Sequence, residues 1–133
     1  MLLNHVALVC SSEENSDRFF QDALGLEKMQ SKIIPSYLSE LIFGLEGEYK
    51  LVNYGNDSIM FEIFLSDRQY TEIKKLDHVC IEVEHLGKFL TKCAKMRIEI
   101  LRIPKGDSLM VFIRDYDGNL FEIKEKTNYL FEI

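Results

Sequence analysis

A chain of 133 residues, 47% hydrophobic and 29% charged, is long enough to bury a core as one domain without disulfides or a structural metal. Its 16 Lys+Arg against 22 Asp+Glu give a net charge of −6 with the cations scattered, which argues against nucleic acid as a partner, and no apolar run approaches the ~18 residues of a membrane span. Cys10, Cys80 and Cys93 have no CxxC spacing and read as buried free thiols; with a strand pattern starting at the N-terminus in place of a signal peptide, a cytoplasmic protein is expected.

Residues 2–10 alternate as a strand, with Leu3, His5, Ala7 and Val9 on one face and Val6, Leu8 and Cys10 on the other. Ser11 as N-cap and Glu14 three positions on predict a capping box opening a helix over about 12–24, with Phe19, Phe20, Ala23 and Leu24 as its stripe and Gly25 as its stop. Residues 26–34 predict a second strand ended by Pro35. Residues 36–43 predict a short helix closed by Gly44, with Tyr37, Leu38, Leu41 and Ile42 inward. A hairpin follows, with strands 49–54 and 58–65 about a turn at Gly55-Asn56-Asp57. Met60, Glu62 and Phe64 share one face of its second strand, and Phe61, Ile63 and Leu65 the other.

The polar stretch 66–75 reads as a linker. Beyond it come a strand at 76–84, a helix over about 85–96 with Leu86, Phe89, Leu90 and Cys93 at i, i+3, i+4 and i+7, and a strand at 97–103 stopped by Pro104. Strands 108–114 and 119–126 flank a turn at Asp115-Tyr116-Asp117-Gly118. Both halves read β-α-β-β-β. The expectation is an α+β fold of two tandem modules, 1–66 and 76–127, forming an incomplete barrel around a metal cavity within a single domain. A linker at 67–75 joins them. The tail 128–133 is apolar enough to dock on its own core or on a second subunit, so a homodimer is expected.

The halves share more than their element order. Leu3-Asn4-His5-Val6 returns as Leu76-Asp77-His78-Val79, and Phe61-Glu62-Ile63 as Phe121-Glu122-Ile123. Each half offers one His and one Glu, on the strand faces opposite Val6, Leu8, Phe61 and Ile63 and opposite Val79, Ile81, Phe121 and Ile123. Unpaired carboxylates in an apolar cavity cost several kcal/mol or take up protons, and a divalent cation removes that cost. Two imidazoles and two carboxylates suit Ni, Zn, Mn or Fe and leave coordination positions for a small-molecule substrate that chelates through two oxygens. Each of the four residues alone is more often an ordinary strand residue. Repetition in matched contexts favours a metal, with a metal-free vestigial site as the competitor. Tyr54, Tyr116, His85 and Cys80 could line such a cavity or simply pack.

These residues resemble the vicinal oxygen chelate superfamily, which includes glyoxalase I, methylmalonyl-CoA epimerase, extradiol dioxygenases, and the fosfomycin and bleomycin resistance proteins. The resemblance rests on the His5 strand, Ser16-x-x-Phe19-Phe20-x-x-x-Leu24-Gly25-Leu26, Leu76-Asp77-His78-Val79 and, most specifically, Asp115-x-Asp117-Gly118-Asn119-x-x-Glu122. It implies His5, Glu62, His78 and Glu122 as metal ligands, with Glu62 and Glu122 as candidate bases. Glu at position 62 makes the set most similar to that of glyoxalase I. The implied activity is a metal-dependent lyase or isomerase that abstracts a proton next to a carbonyl. The alternatives are an epimerase similar to methylmalonyl-CoA epimerase and a metal-free small-molecule binding or resistance protein. Where bacterial glyoxalase I carries an Arg and an Asn for glutathione, this chain has Val9 and Ser66.

Overall fold

A computed structural model describes residues 3–67 and 77–126. The chain divides into two compact units, Met1–Ile73 and Lys74–Ile133. The expected tail at 128–133, and all of the linker except Asp67, lie outside the described residues.

The first unit begins with β1 (Val6–Cys10), shorter than expected because residues 3–5 carry no strand. The helix that follows starts one residue later than its sequence suggests. Ser12, not Ser11, is the N-cap, its Oγ accepting from the Asn15 N–H at 3.1 Å, and the Ser11–Glu14 capping box does not form. After one α-helical turn, α1 (Glu13–Ser16), the backbone widens into a π-helical segment (Asp17–Ala23). Its last turn shows the wider pattern directly, the Leu24 N–H donating to the Phe19 carbonyl at 3.0 Å. Ser16, Phe19, Phe20 and Ala23 are all buried along it.

β2 (Glu27–Ile34) then leads through Pro35 to α2 (Ser36–Phe43). Gly44 closes α2 in the left-handed region at φ +68, its N–H bonding the Glu40 carbonyl while the Leu45 N–H reaches Ser39. The hairpin of β3 (Tyr49–Gly55) and β4 (Met60–Leu65) completes a four-stranded sheet ordered β1-β4-β3-β2, with β1 parallel to β4 and the remaining pairs antiparallel.

One face of this sheet is covered by the π-helical segment. Phe20 sits 5.2 Å from Phe61 and 5.4 Å from Tyr54 between ring centroids, and Tyr54, Phe61 and Ile63 are fully buried. Tyr37, Leu41 and Ile42, expected inward, are 64%, 80% and 63% exposed. Phe43 of α2 packs edge to face at 5.3 Å on Phe64, which shares the Glu62 face of β4.

The second unit repeats the plan without an equivalent of α2. β5 (Val79–Val83), α3 (Leu86–Lys95), β6 (Glu99–Lys105), β7 (Ser108–Arg114) and β8 (Leu120–Glu125) give a sheet ordered β5-β8-β7-β6, again with its first strand parallel to its last. Its core holds Cys93, Ile98, Val111, Ile113, Phe121 and Ile123. Pro104 does not stop its strand: β6 is an edge strand, where a residue without an N–H is tolerated, and Pro104 lies opposite Leu109. The architecture is α+β, two four-stranded mixed sheets with helices, and neither sheet closes into a barrel.

Candidate metal centre

In the first unit, β1 and β4 align Val6 with Phe61 and Ala7 with Glu62. Phe61 faces the helix, so strand alternation turns Glu62 to the other face, and His5, just before β1, reaches it there. His5 Nε2 lies 3.2 Å from Glu62 Oε2, with the Glu62 side chain 19% exposed. Behind the ring, His5 Nδ1 is 2.8 Å from Asn4 Oδ1. An amide oxygen only accepts, so Nδ1 carries the hydrogen and Nε2 of the neutral ring directs its lone pair at a carboxylate. Two acceptors facing each other are incomplete as they stand. Either a proton on Nε2 or a cation between them completes the pair, and an outer hydrogen bond that fixes the tautomer is the usual support of a metal-binding imidazole. The donor chemistry fits a divalent metal.

In the second unit the register is the same: Val79 aligns with Phe121 and Cys80 with Glu122, with His78 just before β5. His78 packs against Phe112, edge to face at 6.0 Å. Cys80, expected buried, is exposed, because its strand position puts it on the Glu122 face rather than in the core. Partial desolvation first, and the neighbouring Glu122 carboxylate second, push the Cys80 thiol up, so it is not an activated nucleophile.

Each unit therefore presents one His and one Glu in matched positions. Among the described residues, neither unit by itself gathers three or more His, Cys, Asp or Glu side chains in a metal-binding group.

The turns before the two Glu strands are built alike. Asp115 Oδ1 accepts from the N–H groups of Asp117 and Asn119 at 2.9 and 2.8 Å, and its Oδ2 from Asn119 Nδ2 at 2.7 Å. Burial pushes the Asp115 carboxyl up, while these donors partly offset it. In the first unit Asn56 Oδ1 takes the same role toward the N–H groups of Ser58 and Ile59. The Asp-x-Asp-Gly-Asn segment thus works as a turn that delivers β8, and Glu122 with it, in register.

Of the other candidates, Tyr54 packs in the core, and Tyr116 ties its turn to α3 by donating to the Met96 carbonyl at 2.8 Å. His85 is the N-cap of α3 without a side-chain cap bond. Ser66 and Asp67 line an open groove with Glu46 and Glu48. The sequence did not single out Asn4 as the group that orients His5, although an Asx residue precedes the His in both copies. On β3, Asn53 stands opposite Glu62.

Comparison with known proteins agrees with this architecture. The Glyoxalase/Bleomycin resistance protein/Dioxygenase superfamily model matches residues 2–123. Among solved structures, a glyoxalase family protein from Enterococcus faecalis is 23% identical, with 91% of this chain and 94% of that one covered and a TM-score of 0.68. A glyoxalase family protein from Bacillus cereus is 17% identical over 94% and 93% of the two chains, with a TM-score of 0.71. A variant of the fosfomycin resistance protein FosX from Listeria monocytogenes, solved with Mn(II) and 1S,2S-dihydroxypropylphosphonic acid, is 14% identical over 95% and 90%, with a TM-score of 0.68. No curated protein matches. The chain belongs to the Glyoxalase/Bleomycin resistance protein/Dioxygenase superfamily.

Proposed function

We propose that the protein is a metal-dependent lyase or isomerase of glyoxalase type, with His5, Glu62, His78 and Glu122 as ligands of one divalent metal. The observation that carries this is the His5–Glu62 pair, oriented by Asn4 and repeated in register by His78 and Glu122. A Ni, Zn, Mn or Fe ion held there would act as a Lewis acid toward the oxyanion that develops when a proton leaves the carbon next to a carbonyl.

The chain's own part is to orient and to move the proton. Asn4 fixes the His5 ring. Glu62 and Glu122 are the bases, each standing on a strand whose alternate residues are anchored in a core. Glutathione is disfavoured as cosubstrate. Val9 and Ser66 stand where its binding residues would be, and the groove beside Ser66 is lined with carboxylates that repel an anionic tripeptide. The same metal chemistry would serve an epimerase acting on an acyl-CoA, whereas a sequestering protein would need no metal. A cytoplasmic homodimer completes the reading, the exposed apolar face of α2 favouring self-association.

The test is the metal content, by mass spectrometry, of protein purified without chelator, beside a His5→Ala/Glu122→Ala double variant. Near-stoichiometric divalent metal in the parent and its loss in the variant support the reading. They also open an activity screen on hemithioacetals, acyl-CoA thioesters and fosfomycin. No metal in either protein, and none taken up on dialysis, rejects the enzyme and leaves a small-molecule binding protein.

A further inference from the structure

An open apolar strip runs along the Glu62 face of the first unit. β1 sets Val9 beside Phe64, two residues beyond Glu62 on β4, and β3 sets Leu51 on the other side of Phe64. Residues i and i+2 of a strand share a face ~6.4–6.8 Å apart, so this apolar row adjoins the carboxylate. Phe43 extends the row from α2, its ring 5.3 Å from that of Phe64. Leu51 is covered, at 2% exposed, whereas Val9 is 37% and Phe43 50% exposed. With strands ~4.8 Å apart, the row from Val9 to Phe43 is roughly 10 Å long, room for a benzyl group or a short alkyl chain.

The second unit supplies an internal control. Its parallel ladder puts Glu82 and Lys124 where the first unit has Val9 and Phe64. Both are exposed, and no helix stands between β6 and β7 in the place of α2. A sheet of this plan therefore accepts a solvated charge pair beside its Glu and does not require an apolar one. Docking of α2 accounts for Phe64 and Leu51. It does not account for Val9, on the edge strand beyond β4, or for a Phe43 that stays half exposed.

Size and position select the occupant. Three partly covered side chains are a small fraction of the ~800 Å2 a side that a stable protein interface buries. A short apolar row that ends at an imidazole and a carboxylate matches a small amphipathic molecule. We propose that Val9, Phe64 and Phe43 recognise the apolar arm, an alkyl or aryl group, of a ligand whose polar head sits at the His5–Glu62 pair. The position of the head rests on the metal reading above. The arm has its own determinant, because the strip belongs to the first unit alone. Of the two repeats, one selects the arm by apolar contact and the other, with Glu82 and Lys124 at the same place, does not.

The experiment uses the full chain, with and without Mn2+, and monocarboxylates that share one head and differ in arm: acetate, butanoate, hexanoate and phenylacetate. Calorimetry compares the parent with Val9→Glu/Phe64→Lys, which gives the first unit the charge pair that the second unit carries. With Mn2+ bound, the parent should bind hexanoate and phenylacetate about tenfold tighter than acetate. A fully buried methylene contributes roughly threefold to fourfold, and this strip covers an arm on one side only. The variant should hold all four probes within about twofold of one another and bind Mn2+ within about threefold of the parent. Val9→Thr, which keeps the side-chain shape, should lower the hexanoate-to-acetate ratio about twofold and guards against a double variant that fails to fold. A parent ratio near unity, or the parent's ratio unchanged in the variants, overturns the inference and leaves the metal centre standing. A ratio that collapses as protein concentration rises puts a second copy on the strip and overturns it too. A parent that binds no Mn2+ ends the metal reading, and the titrations without metal then decide the strip by themselves. A preference for long arms that the variants lose supports it there, and no preference overturns it.

Discussion

Removing one hydroxyl from the core of the first unit should be expensive. Ser16 Oγ donates to the Tyr54 hydroxyl at 2.9 Å, which in turn donates to Asp17 Oδ1 at 2.6 Å; Ser16 and Tyr54 are fully buried. This chain of bonds sits where α1 gives way to the π-helical segment, so it fixes the register of that helix on the sheet. Tyr54→Phe deletes a charge-assisted bond worth about 1.5–3 kcal/mol and strips the buried Ser16 hydroxyl of its acceptor, a cost of about 1–3 kcal/mol. Asp17 keeps its ion pair with Lys28 at 2.9 Å, which limits the damage. The phenylalanine ring fills the same space, so no cavity term is added. Allowing for partial rearrangement, the expected loss is about 2–4 kcal/mol in urea unfolding, read as a lower midpoint at constant slope. The Ser16→Ala/Tyr54→Phe double variant should be at least as stable as Tyr54→Phe alone, because it removes the orphaned hydroxyl together with its partner. A loss below about 0.5 kcal/mol, or strict additivity of the two substitutions, would refute the reasoning.

Three further outcomes follow from the structure. Lys28 and then Lys50, bonded to Glu13 at 2.8 and 2.6 Å, hold its carboxyl below the ordinary value of 4.5. A depressed carboxyl contributes stability that is present above 4.5 and lost as pH falls through the lower folded value, so Glu13→Gln should flatten the acid limb of a melting-temperature profile; an unchanged limb refutes this. Gly44→Ala meets only backbone strain, its Cβ pointing into open space, and should cost about 1 kcal/mol. Gly55→Ala places its Cβ 2.7 Å from the Ile59 carbonyl oxygen and should cost more, a ranking that chemical denaturation checks directly. The exposed apolar residues of α2 predict a dimer in sedimentation velocity that Leu41→Lys weakens, and a clean monomer would contradict it.

The alternation in β4 and β8 was readable because each strand has one buried and one open face, so the positions of Phe61, Glu62, Phe121 and Glu122 followed from period alone. The same logic failed on α2. Its stripe of Tyr37, Leu41 and Ile42 is as apolar as that of a core helix, but whether a helix face is covered depends on what the tertiary structure sets against it, which the stripe itself does not encode. The π-helical widening was hidden for a similar reason. Its first residues are tied to the Tyr54 hydroxyl, far away in the chain, and no local propensity encodes such a contact. The cap moved from Ser11 to Ser12 because either serine can cap and backbone direction chooses between them. At the candidate centre, residue types repeated in matched contexts pointed to His5, Glu62, His78 and Glu122.

The parallel pairing of each unit's first strand with its last has a consequence for the order in which the protein is made. His5 is synthesised well before Glu62, and meets it only after β4 has been made and has closed beside β1. Closing a long loop of this kind is the slow part of folding. At that stage β8 is still to be made, so the nascent protein passes through a state in which one imidazole–carboxylate pair is complete and its counterpart lacks Glu122. Two donors hold a cation far more loosely than four. Under the proposed four-ligand reading, a chain cut short after β4 would keep only half of the donors and retain metal poorly.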